Sequence, residues 1–180
     1  MARIPALLKW SLTSVLISLH CSVPLHASST ENTANLLRIA LPVSGWAMTR
    51  YYADQDGETQ FYKSFAATVL SSYALKNTIH KSRPDGSDND AFPSGHSAMA
   101  FQGATFIQRR YGNELGIPAY VLAAWTAQSR VNSDKHDYSD ILAGALIGFA
   151  SSYYFTENSD LHVMPFVSQQ GTGLALNYRW

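Results

Sequence analysis

Three short stretches of the chain concentrate residues able to move protons and to hold an anion. In "AFPSGHSAMAF", residues 91–101, Pro93, Ser94, Gly95 and His96 stand directly before an apolar run with helical spacing. Pro93 and Ser94 can start a helix, Ser94 can cap it and Gly95 relieves crowding, but capping does not explain His96. The same geometry aims backbone N–H groups and a hydroxyl at one point, where the helix dipole favours an anion. A cap and an anion site both fit these four residues taken alone. In "KNTIHKSRP", Lys76 and Arg83 are two helical turns apart and can reach one side of the helix end, while Pro84 takes Arg83 out of helical geometry. They read either as paired cations of a site or as two solvated cations near a helix C-terminus. His80, one turn from Lys76, is a neighbour of the site or an ordinary surface or core histidine. In "SRVNSDKHDYSD", Arg130 closes one helix, and His136 and Asp140 sit four apart at the start of the next. At that spacing the Asp140 carboxylate can accept the ring N–H of His136, fixing the tautomer and leaving the other nitrogen free to act. The alternative makes Asp140 a capping carboxylate after Asp137, with His136 exposed.

Taken jointly, two histidines, a carboxylate, a lysine, two arginines and an anion-ready helix start fall between residues 76 and 140. Two histidines and one carboxylate among three cations repel a divalent ion, so the expectation is an anionic ligand, no metal and no cofactor. Net charge is zero with 13 basic and 13 acidic residues, and no basic stripe is present, which argues against nucleic acid as a partner.

These blocks resemble the type 2 phosphatidic acid phosphatase (PAP2) family. Its pattern is a lysine, six residues and Arg-Pro; then Pro-Ser-Gly-His; then Ser-Arg, five residues, His, three residues and Asp. Here the blocks are Lys76 with Arg83 and Pro84, Pro93 to His96, and Ser129 and Arg130 with His136 and Asp140. The resemblance implies a metal-independent phosphatase that hydrolyses phosphate monoesters or diphosphates, with lipid phosphates the expected substrates. It also implies that His136 attacks phosphorus to form a phosphohistidine, with Asp140 orienting the ring. His96 then protonates the departing oxygen and later deprotonates water. Lys76, Arg83, Arg130, the Ser94 hydroxyl and the Gly95 N–H would hold the phosphoryl oxygens. A charged His96 and a neutral His136 would give a bell-shaped pH dependence. Within the same architecture a vanadate-dependent haloperoxidase is the runner-up, for which the chain looks too small. A non-catalytic phosphate or lipid binder is a further alternative, against which the retention of both histidines counts.

The elements that must position these groups read as helices. Apolar residues recur at helical spacing over 34–50 (broken at Pro42), 59–81, 95–111, 117–131 and 137–156. The expected fold is all-α, a bundle of about five helices with a small C-terminal β-hairpin over 161–180, where Leu174, Leu176, Tyr178 and Trp180 alternate with smaller or polar residues. Between the second and third helices lies a turn-rich loop, "SRPDGSDNDAFPSG", whose Asp85, Asp88 and Asp90 read as solvated turn carboxylates and lack the spacing of a calcium loop. The chain is 46% hydrophobic and 14% charged, and residues 28–180 suit one packed domain. Residues 1–27 read as an export signal: Arg3 and Lys9, then "WSLTSVLISL", then "LHASS" with cleavage after Ala27. Cys21 would leave with that signal. The alternative is an uncleaved anchor over residues 10–30. The family's membrane-bound members have six spanning helices and this chain shows fewer, so the expectation is an exported, periplasmic enzyme, soluble or peripherally attached, whose apolar helices can lie on a bilayer. Nothing in the sequence sets its oligomeric state.

Overall fold

In the computed structural model, residues 27–158, 161–168 and 171–178 are described. The expected export signal, apart from Ala27, lies outside the described residues.

Five helices follow one another: α1 (Ala27–Tyr51), α2 (Gln55–Thr78), α3 (Gly95–Tyr111), α4 (Asn113–Asn132) and α5 (Tyr138–Phe155). Their boundaries have local causes. Asp54 caps α2, its carboxylate accepting the Gly57 N–H at 2.9 Å. Gly112, at φ 96°, turns the chain from α3 into α4 in a single residue, a conformation that disfavours any side chain. At the start of α5, Asp140 reaches back to accept the Asp137 N–H at 2.9 Å.

α3 is the central helix and touches each of the other four. Small residues set how near its neighbours come. A Cβ on Gly103 would lie 2.5 Å from the backbone of Leu41 and of Pro42, so α1 crosses α3 backbone to backbone at that point. This corrects the expected break at Pro42, because α1 runs through the proline without interruption. Proline removes one backbone N–H from the ladder, but Leu41 is buried against α3, and tertiary packing of this kind is what sustains most protein helices.

The interior is polar, and much of it is hydrogen-bonded. Ser64 Oγ donates to the Phe61 carbonyl at 2.9 Å, Thr126 Oγ1 to Leu122 at 2.8 Å and Ser129 Oγ to Thr126 at 2.7 Å, each within its own helix. Between helices, Gln102 Nε2 donates to Ser64 Oγ at 3.1 Å and Ser152 Oγ donates to the Gln102 carbonyl at 2.8 Å. Larger apolar packing is confined to Phe61, Phe106 and Tyr111 and to the neighbourhood of Leu41 and Ile107. The outer faces are apolar instead: Leu36 and Ile39 on α1, Leu70 and Tyr73 on α2, Val121 on α4, and Leu142 and Leu146 on α5 are all exposed.

Opposite the turns that carry the candidate residues, Asp54 also receives Arg110 Nε at 2.6 Å, Arg110 Nη2 and the Tyr111 hydroxyl at 3.2 Å. Burial alone would raise this carboxyl's pKa, but the hydrogen bonds from Arg110 and Gly57 outweigh it and hold the group below its ordinary range. Asp54→Ala should therefore cost about 2–4 kcal/mol in a urea melt, because it removes a helix cap and strands a half-buried guanidinium. In the wild type that contribution is present above the ordinary carboxylate pKa and is lost as pH falls through the lowered one.

The helical body is all-α, with five helices as expected. Beyond it, Leu161–Ser168 (β1) and Gly171–Tyr178 (β2) run antiparallel. The hairpin expected from the sequence remains an expectation.

Candidate active site

Three chain segments are tied together at one end of the bundle. The entrance to α3 is fastened to the entrance of α5, where the Ser94 N–H donates to the Asp140 carbonyl at 3.0 Å. The turn from α4 to α5 folds back on itself, with the N–H groups of Lys135 and His136 donating to the Arg130 carbonyl at 3.0 and 3.2 Å. The loop after α2 joins both: the Ala91 N–H donates to the Lys81 carbonyl at 2.9 Å, and the Asp85 N–H to the Asp134 carbonyl at 3.0 Å. In this frame Arg83 spans the loops. Its Nε donates to Asp88 at 2.6 Å, and its Nη1 lies 3.3 Å from both the Lys135 carbonyl and His136 Nε2.

That last contact decides a tautomer. A guanidinium can only donate, so His136 Nε2 presents its lone pair to Arg83 and Nδ1 carries the proton. His136 is 3% exposed, Arg130 4% and Asp140 0%. Several buried donors beside them find no hydrogen-bond partner among the described residues: Ser94 Oγ, Arg130 Nε and Nη1, and Arg38 Nε. Leaving such groups unpaired costs about 1–3 kcal/mol each, more for a charged one. An oxyanion among them would recover that cost.

The environment is strongly cationic. Burial, then Arg83, pushes His136 down to about 4, while Asp140 and the Ala91 backbone oppose the shift. His96 goes further, to about 3, through burial and then Arg130, Arg38, His136 and Arg83. Burial and Arg83 lower Lys76, and burial lowers Arg130 despite Glu31. The unfolded chain protonates its histidines near 6.5 and the fold resists doing so. Both rings therefore withdraw stability as pH falls below about 6.5, until His136 titrates near 4 and His96 near 3. The same surroundings favour the neutral form of His96 in the ligand-free protein.

Two placements differ from the simple reading of the motifs. Asp140 Oδ2 is 3.7 Å from His136 Nδ1, beyond hydrogen-bond reach. Helical spacing does not apply to this pair, because α5 begins at Tyr138 and His136 precedes it. The Asp140 oxygens are engaged instead by the Asp137 N–H and by Lys81 Nζ at 2.6 Å. Ser94 occupies the N-cap position of α3 but makes no side-chain cap bond, so its hydroxyl is not used for capping. Lys76 Nζ donates to the Asp90 carbonyl, within electrostatic reach of Arg83. Around a Cβ placed on Gly95, nothing lies within 4 Å among the described residues, so the backbone there is open to approach. His80 is exposed.

Sequence reasoning missed Lys81, for which a charge in a loop gave no signal. It also missed a polar face of α1. Glu31 Oε1 lies 3.7 Å from Arg130 Nη1, Asn35 Oδ1 lies 2.7 Å from His96 Nε2, and Arg38 acts on both His96 and Arg130. The available signal was three polar residues at spacings of four and three, one face of a helix whose first turns are polar all round.

The chain is similar to several known proteins. A lipid A 1-phosphatase of Helicobacter pylori strain J99 is 29% identical over 152 residues, covering 79% of this chain and 78% of that protein. The lipid A 1-phosphatase of Porphyromonas gingivalis is 37% identical over 78 residues, which are 42% of this chain but only 18% of that larger protein. Among solved structures, Aquifex aeolicus LpxE superposes with a TM-score of 0.64 at 19% identity, over 75% of this chain and 87% of that one. A transmembrane PAP2-type phosphatidylglycerolphosphate phosphatase of Bacillus subtilis gives 0.60 at 23% identity, over 75% and 77%. At those identities the two structures establish the fold alone. The PAP2 superfamily model matches residues 42–160, well over half of the chain and all three motif blocks, and on that ground the protein belongs to the PAP2 superfamily.

Proposed function

We propose that this protein hydrolyses phosphate monoesters of lipids through a phosphohistidine on His136, without a metal ion. Its class, a phosphoric monoester hydrolase of the PAP2 kind, accords with its family and with relatives named as lipid A 1-phosphatases. One observation carries the reading: the lone pair of a buried neutral imidazole faces Arg83, beside the buried Ser94 hydroxyl and the Arg130 Nε, neither of which makes a hydrogen bond among the described residues. A phosphoryl group held by Arg83, Arg130, Lys76, the Ser94 hydroxyl and the Gly95 N–H takes over the Arg83 donor. His136 Nε2 is then aimed at phosphorus.

The N–P bond forms as the P–O bond to the leaving alcohol breaks, and His96 gives that oxygen its proton. Water then attacks the phosphohistidine, His96 takes the water's proton, and inorganic phosphate leaves. Asp140, 3.7 Å from Nδ1, faces the positive charge that develops on His136. Because His96 is neutral before substrate arrives, the anionic phosphate must raise its affinity for a proton, supplied by the substrate monoanion or by solvent.

A lipid substrate is supported by an apolar groove of about 490 Å³ between α1 and α2, lined by residues including Ile39, Val43, Trp46, Phe61, Phe65 and Met99. It begins one residue past Arg38 on α1, and Met99 lies one turn past His96 on α3. The apolar outer faces support peripheral attachment to a bilayer. No helix among the described residues is long and apolar enough to cross a membrane. Export to the periplasm belongs to the same proposal.

The test compares lipid and water-soluble phosphate esters with the purified full chain, chelator present. Phosphate release from lipid phosphates at an undiminished rate is expected, together with an acid-labile phosphoenzyme after rapid denaturation. Loss of activity on chelation would remove the metal-free step. Preference for soluble esters would remove the lipid reading.

A further inference from the structure

We propose that Asn35 of α1 is a positioning residue for His96: its amide oxygen holds the ring's Nε2–H and so assigns Nδ1 to exchange the proton with the leaving oxygen and the water. The inference rests on the phosphatase reading but concerns a residue ahead of the segment, residues 42–160, that the family model matches.

Asn35 Oδ1 lies 2.7 Å from His96 Nε2. An amide oxygen can only accept, so Nε2 carries a proton, and in the neutral ring Nδ1 carries the lone pair. That is the form needed to take a proton from water, and one further proton on Nδ1 gives the acid form. The ring is thereby fixed in tautomer and orientation without being committed to a charge.

The choice of amide over carboxylate has a physical consequence. His96 is surrounded by cations or groups that become cationic: Arg38 from α1, Arg130 from α4, and Arg83 and His136 from the two loops. Lys76 stands at the end of α2, Glu31 lies beside Arg130, and Asp140 at the entrance to α5 stands behind His136. A carboxylate at the position of Asn35 would favour the imidazolium by about 1–3 pKa units and make the proton harder to give up. An amide supplies the hydrogen bond and leaves the proton's fate to the bound phosphate. Glu31, Asn35 and Arg38 share one face of α1, so the helix is held to the site by more than this single bond.

The test uses the full chain and measures kcat and KM across pH for Asn35→Ala and Asn35→Asp, with alkyl and aryl phosphate esters. Asn35→Ala should lower kcat on alkyl esters by about 10–100-fold, the scale seen when a hydrogen bond that orients a functional histidine is lost, with KM little changed. The loss should shrink on aryl esters, whose leaving groups need less proton. On a His96→Ala background the same change should add nothing. Asn35→Asp should move the basic limb of the kcat profile upward by about 1–3 pH units. Equal losses on both ester types, full additivity with His96→Ala, or an unmoved limb would each overturn the proposal. Titration of the His96 ring by NMR in wild type and Asn35→Asp gives a readout independent of turnover. A raised pKa in the variant supports the contact even if the chain proves to be no phosphatase, and an unchanged one refutes it even if Asn35→Ala fails to fold.

Discussion

His136→Ala is expected to lower turnover by about four orders of magnitude or more and to abolish the phosphoenzyme, while the protein still folds and still binds inorganic phosphate. The three outcomes follow from separate features of the site. The proposed nucleophile is one ring nitrogen, His136 Nε2, 3.3 Å from Arg83 Nη1. Folding survives because a buried, neutral histidine surrounded by cations contributes little charge-based stability, and Arg83 keeps its bonds to Asp88 and to the Lys135 carbonyl. Phosphate binding survives because Arg83, Arg130 and Lys76 remain. His96→Ala is expected to behave differently, since aryl esters can still phosphorylate His136 when no acid is required. In the wild type, kcat/KM should fall as pH drops through about 4, where His136 becomes protonated in the free enzyme and loses its lone pair. A phosphoenzyme recovered from His136→Ala would show that another residue is the nucleophile.

What could be read from the sequence was whatever local chemistry determines. α3 spans residues 95–111 as expected, because Pro93 and Ser94 mark its start and Gly112 its end. The residues of the three motif blocks that meet at the α3 and α5 entrances were legible because each block keeps its spacing within a few turns of chain. The misreadings all involve distance along the chain. Pro42 looks like a helix break until Gly103, 61 residues later, is seen packed against it. Lys81, 59 residues before Asp140, holds the other oxygen of the carboxylate that faces His136, and nothing near Asp140 in the chain announces it. Asn35 and His96 are likewise 61 residues apart, and nothing in α1 by itself says what its polar face meets. Periodicity showed that each helix has an apolar side but not that much of it faces outward, with Ser64, Thr68 and Gln102 buried within.

The crossing of α3 and α5 carries the other large expectation, that Gly148→Ala destabilises the protein by about 3 kcal/mol or more, against near-neutrality for Gly95→Ala. A Cβ on Gly148 would stand 2.1 Å from the Ala98 carbonyl oxygen and 2.7 Å from the Gln102 nitrogen, and one on Gly144 would stand 2.3 Å from the Ser94 carbonyl oxygen. These neighbours are backbone, with no flexible side chain to swing aside, so relief requires α5 to back away from α3. Retreat stretches the Ser152 bond to the Gln102 carbonyl and, at the end that holds the candidate site, the Ser94 N–H bond to the Asp140 carbonyl. Activity should therefore fall with stability in Gly148→Ala. At Gly95 nothing among the described residues lies within 4 Å of the added methyl, so a melt should barely move. The methyl instead sits beside the N–H that would meet a phosphoryl oxygen, and inorganic phosphate should bind more weakly to Gly95→Ala. Thermal melts with phosphate titrations on both variants separate the two effects. An unshifted melt for Gly148→Ala would mean that α3 and α5 do not meet through this seam, and a phosphate affinity unchanged in Gly95→Ala would take the α3 entrance out of the binding site.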